Sequence, residues 1–246
     1  MNSLICAAAF AVFACIGSFI GVCTERIPRG EQIFKGRSHC DNCQRLLKPW
    51  EMIPILSFLA LRGKCSVCKS KIPVTGFITE TAVAVLGTVC IWLYGFNFRG
   101  IVYGIVACVL SEIFLLDLKT MEISDIANLI IAVLGIIMMI KDKTYISSLT
   151  GGLCVSIPFL VTAAFGAMGY GDVKFMAAVG ILLGLKKTLL AAFIGIVIGS
   201  LSAIIIRIKE KKEWKSEIPF GPYLCLGTYI SMLFGDKIIS LYISLI

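Results

Sequence analysis

Eight apolar runs constrain this chain more than any other feature of it. They fall at about 4–23, 77–94, 101–116, 126–140, 146–165, 173–185, 189–206 and 218–234. Roughly 20 apolar residues cross the roughly 30 Å hydrocarbon core of a bilayer as a helix, which satisfies its own backbone where no water can. Several runs are shorter than that, so some helices are expected to begin or stop inside the membrane. The hydrophobic share, 58% of 246 residues, exceeds the roughly half found in soluble domains. The expected fold is an all-α polytopic membrane protein with about eight transmembrane helices. The tail 238–246 is too short to span alone and reads as interfacial or as an extension of the last helix.

Charge orients the chain. The first run has no Lys or Arg before it and a basic cluster after it, the reverse of a secretory signal. It therefore reads as a retained span with its N-terminus outside. On that topology seventeen of the 23 Lys and Arg residues face inward and six face outward, as the positive-inside rule requires. The net charge of +8 is then loop charge for the bilayer surface, and no nucleic-acid partner is expected. The cluster 207–215, with Trp214, reads as an interfacial anchor.

The one sizeable polar stretch, about 24–75, lies between the first two spans on the inner side. It carries Cys40-Asp41-Asn42-Cys43 and Cys65-Ser66-Val67-Cys68, with residues 44–64 between the pairs. Two pairs at this spacing can supply four thiolates to a tetrahedral zinc ion, and four thiolates leave no open position for a substrate. Disulfides are the alternative, but this topology puts the thiols in a reducing compartment. A small cytoplasmic zinc-binding domain is expected, with a structural Zn(2+). His39, the only histidine, reads as a surface or outer-sphere residue rather than a ligand. The remaining cysteines lie in or beside apolar runs and read as small hydrophobes.

Two acidic positions stand out against this apolar background. In Met168-Gly169-Tyr170-Gly171-Asp172-Val173-Lys174, a carboxylate follows two glycines at the start of an apolar run. Gly169 and Gly171 permit a tight turn or a close backbone approach, and Asp172 would occupy a helix first turn. Phe165, Gly166 and Ala167, just before, read as a place where helices approach. Asp117 directly follows another apolar run, at the membrane boundary on the same inner side. Asp125, after Ser124 and before the next run, reads as a capping or supporting residue. Two carboxylates held together share a proton, so one can activate water while the other protonates a scissile carbonyl. Two other readings account for parts of the chain. A non-catalytic, zinc-stapled membrane scaffold would leave the aspartates as caps. A proton- or cation-coupled small transporter would use intramembrane acids, for which Glu80 and Glu112 are candidates.

The motifs also resemble a known family, the bacterial type IV prepilin peptidases within the Gly-x-Gly-Asp membrane aspartyl proteases. The likeness runs through Gly17-Ser18-Phe19-Ile20, Arg26-Ile27-Pro28, the two Cys pairs, Trp50 to Phe58 and Leu61-Arg62-Gly63-Lys64-Cys65. It continues through Asp117, Ile123-Ser124-Asp125, Gly169 to Lys174, and Pro219-Phe220-Gly221-Pro222. The resemblance implies an aspartic endopeptidase of the bacterial inner (cytoplasmic) membrane, with Asp117 and Asp172 catalytic. Gly169, Gly171, Lys174 and Asp125 would support them. Its substrates would be prepilins or pseudopilins, cut after a glycine on the cytoplasmic side. It also implies N-methylation of the new N-terminus by S-adenosylmethionine. The implied divisions are a first span at 1–23, a zinc-binding domain with any methyltransferase part at 24–76, and a multi-span peptidase domain at 77–246. Gly21, Asp41, Met52 and Thr75-Gly76-Phe77 depart from the family pattern, whereas Glu80 keeps it. The departures cluster in or beside the polar domain and leave the two aspartates alone.

Overall fold

A computed structural model of the protein describes residues 3–33, 38–210 and 218–245. Lys35 and Arg37, and Lys211, Lys212, Trp214 and Lys215 of the basic cluster, lie outside the described residues. The described residues form helices α1 (Ser3–Arg26), α2 (Leu56–Ala60), α3 (Val74–Tyr94), α4 (Phe98–Thr120) and α5 (Asp125–Asp142). They continue with α6 (Tyr145–Ala164), α7 (Tyr170–Leu183), α8 (Leu185–Glu210) and α9 (Gly221–Ser244), and no named strand occurs among them.

Each apolar run falls mostly within one of these helices. Six of them, α1, α3, α4, α6, α8 and α9, are long and apolar enough to cross a membrane. The other two fall short for different reasons. Helix α5 begins at Asp125 and ends at Lys141-Asp142. Helix α7 has 14 residues, about 21 Å at 1.5 Å per residue, which is less than the hydrocarbon core. The C-terminal tail continues α9 as far as Ser244. Large apolar side chains such as Leu4, Ile146 and Phe193 point outward from these helices, the pattern of elements that lipid covers.

The chain forms two compact units, Met1–Cys108 and Val109–Ile246, with the boundary inside α4. In the first unit α1 packs along α3. The key to that packing is Phe13, a buried residue of α1. A Cβ added at Gly87 on α3 would lie 2.5 Å from its ring, and so would one added at Gly104 on α4. The glycines thus form a slot that the ring fills. Gly104→Leu is expected to destabilise this unit by about 1–3 kcal/mol through overpacking. Thermal unfolding in detergent checks this, and adding Phe13→Ala should return part of the loss.

In the second unit the short helix α7 is the centre. It contacts α5, α6, α8 and α9 and buries Phe175, Met176 and Val179 completely. A 14-residue helix holds its place here by packing on its neighbours rather than by reaching both membrane faces. Anything carried on its first turn is therefore held by the other helices of the unit.

The polar stretch folds as two like turns. Each Cys-x-x-Cys is followed by a residue at positive φ, Gln44 (φ 57) and Lys69 (φ 59). Each turn is closed by one antiparallel backbone pairing, His39 with Leu46 and Lys64 with Lys71. The two pairings occupy equivalent positions around the two cysteine pairs.

Candidate active site

Asp117 sits near the end of α4 and Asp172 on the first turn of α7, and both are buried, at 4% and 7% exposure. The two carboxylates act on each other electrostatically, and Cys225, buried one turn into α9, lies within reach of both charges. The pair expected from sequence is thus brought together within one compact unit.

Each aspartate is positioned by a helix end. Helix α4 stops where Met121 adopts φ 56 and donates its N–H to the Asp117 carbonyl. The Asp117 side chain accepts the N–H of Gly221 at 2.9 Å. Gly221 is the first residue of α9, followed by Pro222, so its N–H has no partner within its own helix. A Cβ at Gly221 would stand 2.8 Å from Asp117 Oδ2. The Phe220 ring beside it packs against Gly199 of α8 and near Phe159 of α6, which fixes the start of α9. The Asp172 N–H donates to the carbonyl of Gly169, the residue that precedes α7.

The supporting residues divide. Gly171 makes the close approach expected of it: its Cβ would meet Ile123 Cβ at 3.1 Å, which seats the α4–α5 connection on the start of α7. Lys174 pairs with Asp125 at 2.7 Å across the same junction, with both side chains well exposed. Asp125 is not the cap. The Ser124 hydroxyl accepts from the Ala127 N–H and caps α5, leaving Asp125 in the first turn free to face Lys174. Gly169 has an extended backbone, and a Cβ there would meet only Asp172 Oδ2 at 3.6 Å and the Gly171 N at 3.9 Å, both ordinary contacts. The tight turn lies earlier, at Gly166 (φ 74), which ends α6 with paired bonds from Gly166 to Ala163 and from Ala167 to Thr162. Gly166 would meet nothing with an added Cβ, so this segment is a helix stop and not a packing point.

The four cysteines of the polar stretch converge. Their sulfurs all lie within 4.8 Å of one another, and Cys40 Sγ is 3.7 Å from Cys68 Sγ. A tetrahedral metal with bonds of about 2.3 Å to sulfur needs sulfurs about 3.8 Å apart, so the donor set fits a metal ion. Hydrogen bonding from Ser70 holds the Cys68 thiol down at about 5, and the Val67 backbone N–H lowers Cys65 as well. Both effects favour the thiolate that a metal needs. His39 contributes its backbone to the pairing with Leu46 and does not belong to the metal-capable group.

A charged clasp braces this cluster. Glu51, its side chain 1% exposed, accepts both Arg45 guanidinium nitrogens at 2.9 and 2.7 Å, the Ser66 hydroxyl at 2.6 Å and the Lys48 N–H at 2.8 Å. Arg45 and the other donors hold its carboxyl at about 2, and Arg45 also reaches Cys65. Glu51→Ala is expected to weaken metal retention about 10- to 100-fold and to expose the module to trypsin. Metal content and proteolysis of the purified protein measure both.

Comparison with known proteins gives two family matches along the chain. The description "Bacterial Peptidase A24 N-terminal domain" matches residues 12–94, and "Type IV leader peptidase family" matches residues 104–204. The chain is 32% identical over 244 residues to the prepilin leader peptidase/N-methyltransferase of Bacillus subtilis (strain 168), covering 94% of each chain. The chain belongs to the type IV leader peptidase family. Further members of the family match it over most of its length. The Pseudomonas aeruginosa prepilin leader peptidase/N-methyltransferase is 29% identical over 93% of this chain and 90% of its own. That of Stutzerimonas stutzeri is 29% identical over 86% and 76%. No solved structure matches. The protein is thus a multi-pass membrane peptidase of this family with a metal-capable four-cysteine module.

Several residues near the site escaped the sequence reading. Gly221 stood in a recognised Pro-Phe-Gly-Pro motif, but nothing in that motif names Asp117 as the partner of its N–H. Asn128, on α5 where that helix packs on α7, is buried with no partner for either amide atom among the described residues. Its spacing from Asp125 reads only as the next helical turn.

Proposed function

We propose that this protein is an aspartic endopeptidase that removes the leader of type IV prepilins or pseudopilins after a glycine, at the cytoplasmic face. The observation that carries the reading is the pair of buried carboxylates, Asp117 and Asp172, within electrostatic reach and set on two helix ends. Two such groups hold one proton between them. The ionised member takes a proton from water as the water attacks the scissile carbonyl. The protonated member gives its proton to the carbonyl oxygen, forming a neutral gem-diol. Collapse of the diol breaks the C–N bond, and a proton passes from the dyad to the leaving amine. The Gly221 N–H holds Asp117 in place throughout. Gly171 against Ile123 and Lys174 on Asp125 keep α7 in register with the end of α4.

The names of the curated relatives support a second activity, N-methylation of the new N-terminus with S-adenosylmethionine. On this reading the four cysteines hold a structural Zn(2+). The first span is 1–23, the zinc-binding and methyltransferase part is 24–76, and the peptidase is 77–246. The chain sits in the bacterial inner membrane with its N-terminus outside and the active site facing the cytoplasm, as its Lys and Arg distribution favours. Co-expression with a prepilin-like substrate, followed by mass analysis of the product's N-terminus, tests both activities. The expected product begins immediately after the leader glycine and carries one methyl group. An uncut substrate would overturn the peptidase reading.

A further inference from the structure

The aspartate pair leaves a second set of features unexplained, and these converge on Glu80. A cavity of about 480 Å³ lies within the first compact unit, lined among others by Phe19, Met52, Phe58, Ile72, Phe77 and Glu80. Its size is that of small-molecule sites, roughly 300–1,000 Å³. Two separate segments hold the Glu80 carboxylate in its wall. The Ser18 hydroxyl donates to Oε1 at 2.7 Å and the Ile55 N–H donates to Oε2 at 2.7 Å. Gly17 lets α1 come this close, since a Cβ there would sit 2.9 Å from the Glu80 Cα.

The Ile55 donor is held under strain. Ile55 has φ 62 and ψ −53, and the Leu56 N–H donates to the Pro54 carbonyl at 2.6 Å. That is a γ-turn with its centre at positive φ, a rare and strained form, here on a β-branched residue. Such backbone persists where the surroundings over-determine it, and it clusters at ligand sites. In this case it aims an N–H at a carboxylate. The two carboxylates of this unit that line the cavity and are buried or half-buried, Glu51 and Glu80, are also treated differently. Glu51 is neutralised by Arg45. Glu80 has neutral donors and, among the described residues, no cation at ion-pairing distance. Its carboxyl faces a mostly apolar cavity that Arg45 and Lys71 also line, where Phe58 and Phe77 stack at 4.8 Å.

We infer that this cavity is the methyl-transfer site, with Glu80 receiving the N-terminal ammonium of the processed substrate and the apolar wall receiving S-adenosylmethionine. The inference rests on the methyltransferase half of the function proposed above. The cavity fits the group: it pairs a carboxyl that has no cation at ion-pairing distance among the described residues with aromatic surface for an adenine ring. When bound, S-adenosylmethionine supplies the methyl group from its sulfonium. Glu80 takes a proton from the ammonium, which frees the nitrogen lone pair. An N–C bond then forms as the methyl C–S bond breaks, with that electron pair staying on sulfur. The products are a secondary ammonium, a neutral thioether and protonated Glu80, which returns its proton to water.

The test uses full-length protein in nanodiscs with tritiated S-adenosylmethionine, cross-linked by ultraviolet light without any prepilin. The expected adduct maps to peptides carrying Phe58 or Phe77 and disappears with excess S-adenosylhomocysteine. In a separate assay on an already cleaved N-terminal peptide, Glu80→Gln should lower methylation about 10²-fold while retaining the adduct. Ser18→Ala, which removes one carboxylate donor and keeps the fold, should lower it about tenfold. An adduct elsewhere, no adduct, or full methylation by both variants would overturn the inference. A protein that captures the label at these residues yet cuts no prepilin would sink the peptidase reading alone. One that cuts prepilin but captures nothing would sink this inference alone.

Discussion

Asp117→Asn and Asp172→Asn are each expected to lower leader cleavage by at least about 10³-fold while membrane levels stay normal. Each substitution keeps the size of the side chain. The amide oxygen placed at position 117 can still accept the Gly221 N–H, so the helix ends should hold. What is lost is the proton that the pair exchanges with water and substrate. An amide can neither take a proton from water nor give one to a carbonyl oxygen at neutral pH. Initial rates of cleavage of a purified prepilin in detergent, normalised to enzyme level by immunoblot, measure the effect. Near-normal cutting by either variant would remove that residue from the chemistry.

Gly221→Ala is the second large effect, about 10²-fold on kcat/KM. The added Cβ would stand 2.8 Å from Asp117 Oδ2, well inside van der Waals contact. Neither side can yield easily. Asp117 is buried near the end of α4, and the start of α9 is fixed by Pro222 and by the Phe220 ring packed on Gly199. The carboxylate must turn away, and a displacement of about 1 Å at a reacting group costs on the order of 10²-fold. Gly21→Ala is the control, because a Cβ there meets nothing within 4 Å, and it should cut at close to the wild-type rate. Wild-type cutting by Gly221→Ala would mean that the position of Asp117 does not matter to the reaction.

The sequence revealed what depends on local pattern. Apolar runs mark helices because each must bury or lipidate its whole surface, and Asp117 and Asp172 are visible because a carboxylate at the edge of such a run is costly. The cysteine pairs are legible because metal geometry demands their spacing. Contacts between distant segments were not legible. The bond from Gly221 to Asp117 joins residues 104 positions apart, and the Glu80 carboxylate is held by Ser18, 62 residues before it. Local choices between equivalent residues were also hidden. Ser124 and Asp125 are both good caps, and only the backbone path shows that the serine hydroxyl faces the Ala127 N–H. Gly169 and Gly171 read alike as turn or close-approach glycines and Gly166 as a packing position, but their tasks differ. Gly166 makes the turn, Gly171 makes the close approach, and Gly169 does neither.

The measurement that tests the central claim most directly compares cleavage by Asp117→Asn, Asp172→Asn and the double variant with that of wild type. Two groups that share one proton act as a unit, so either single change should reduce the rate to the same floor and the double change should cost nothing further. Losses that multiply in the double variant, or cutting that survives both changes, would contradict a shared dyad. Surviving activity would leave the two aspartates as helix-end residues of a membrane scaffold.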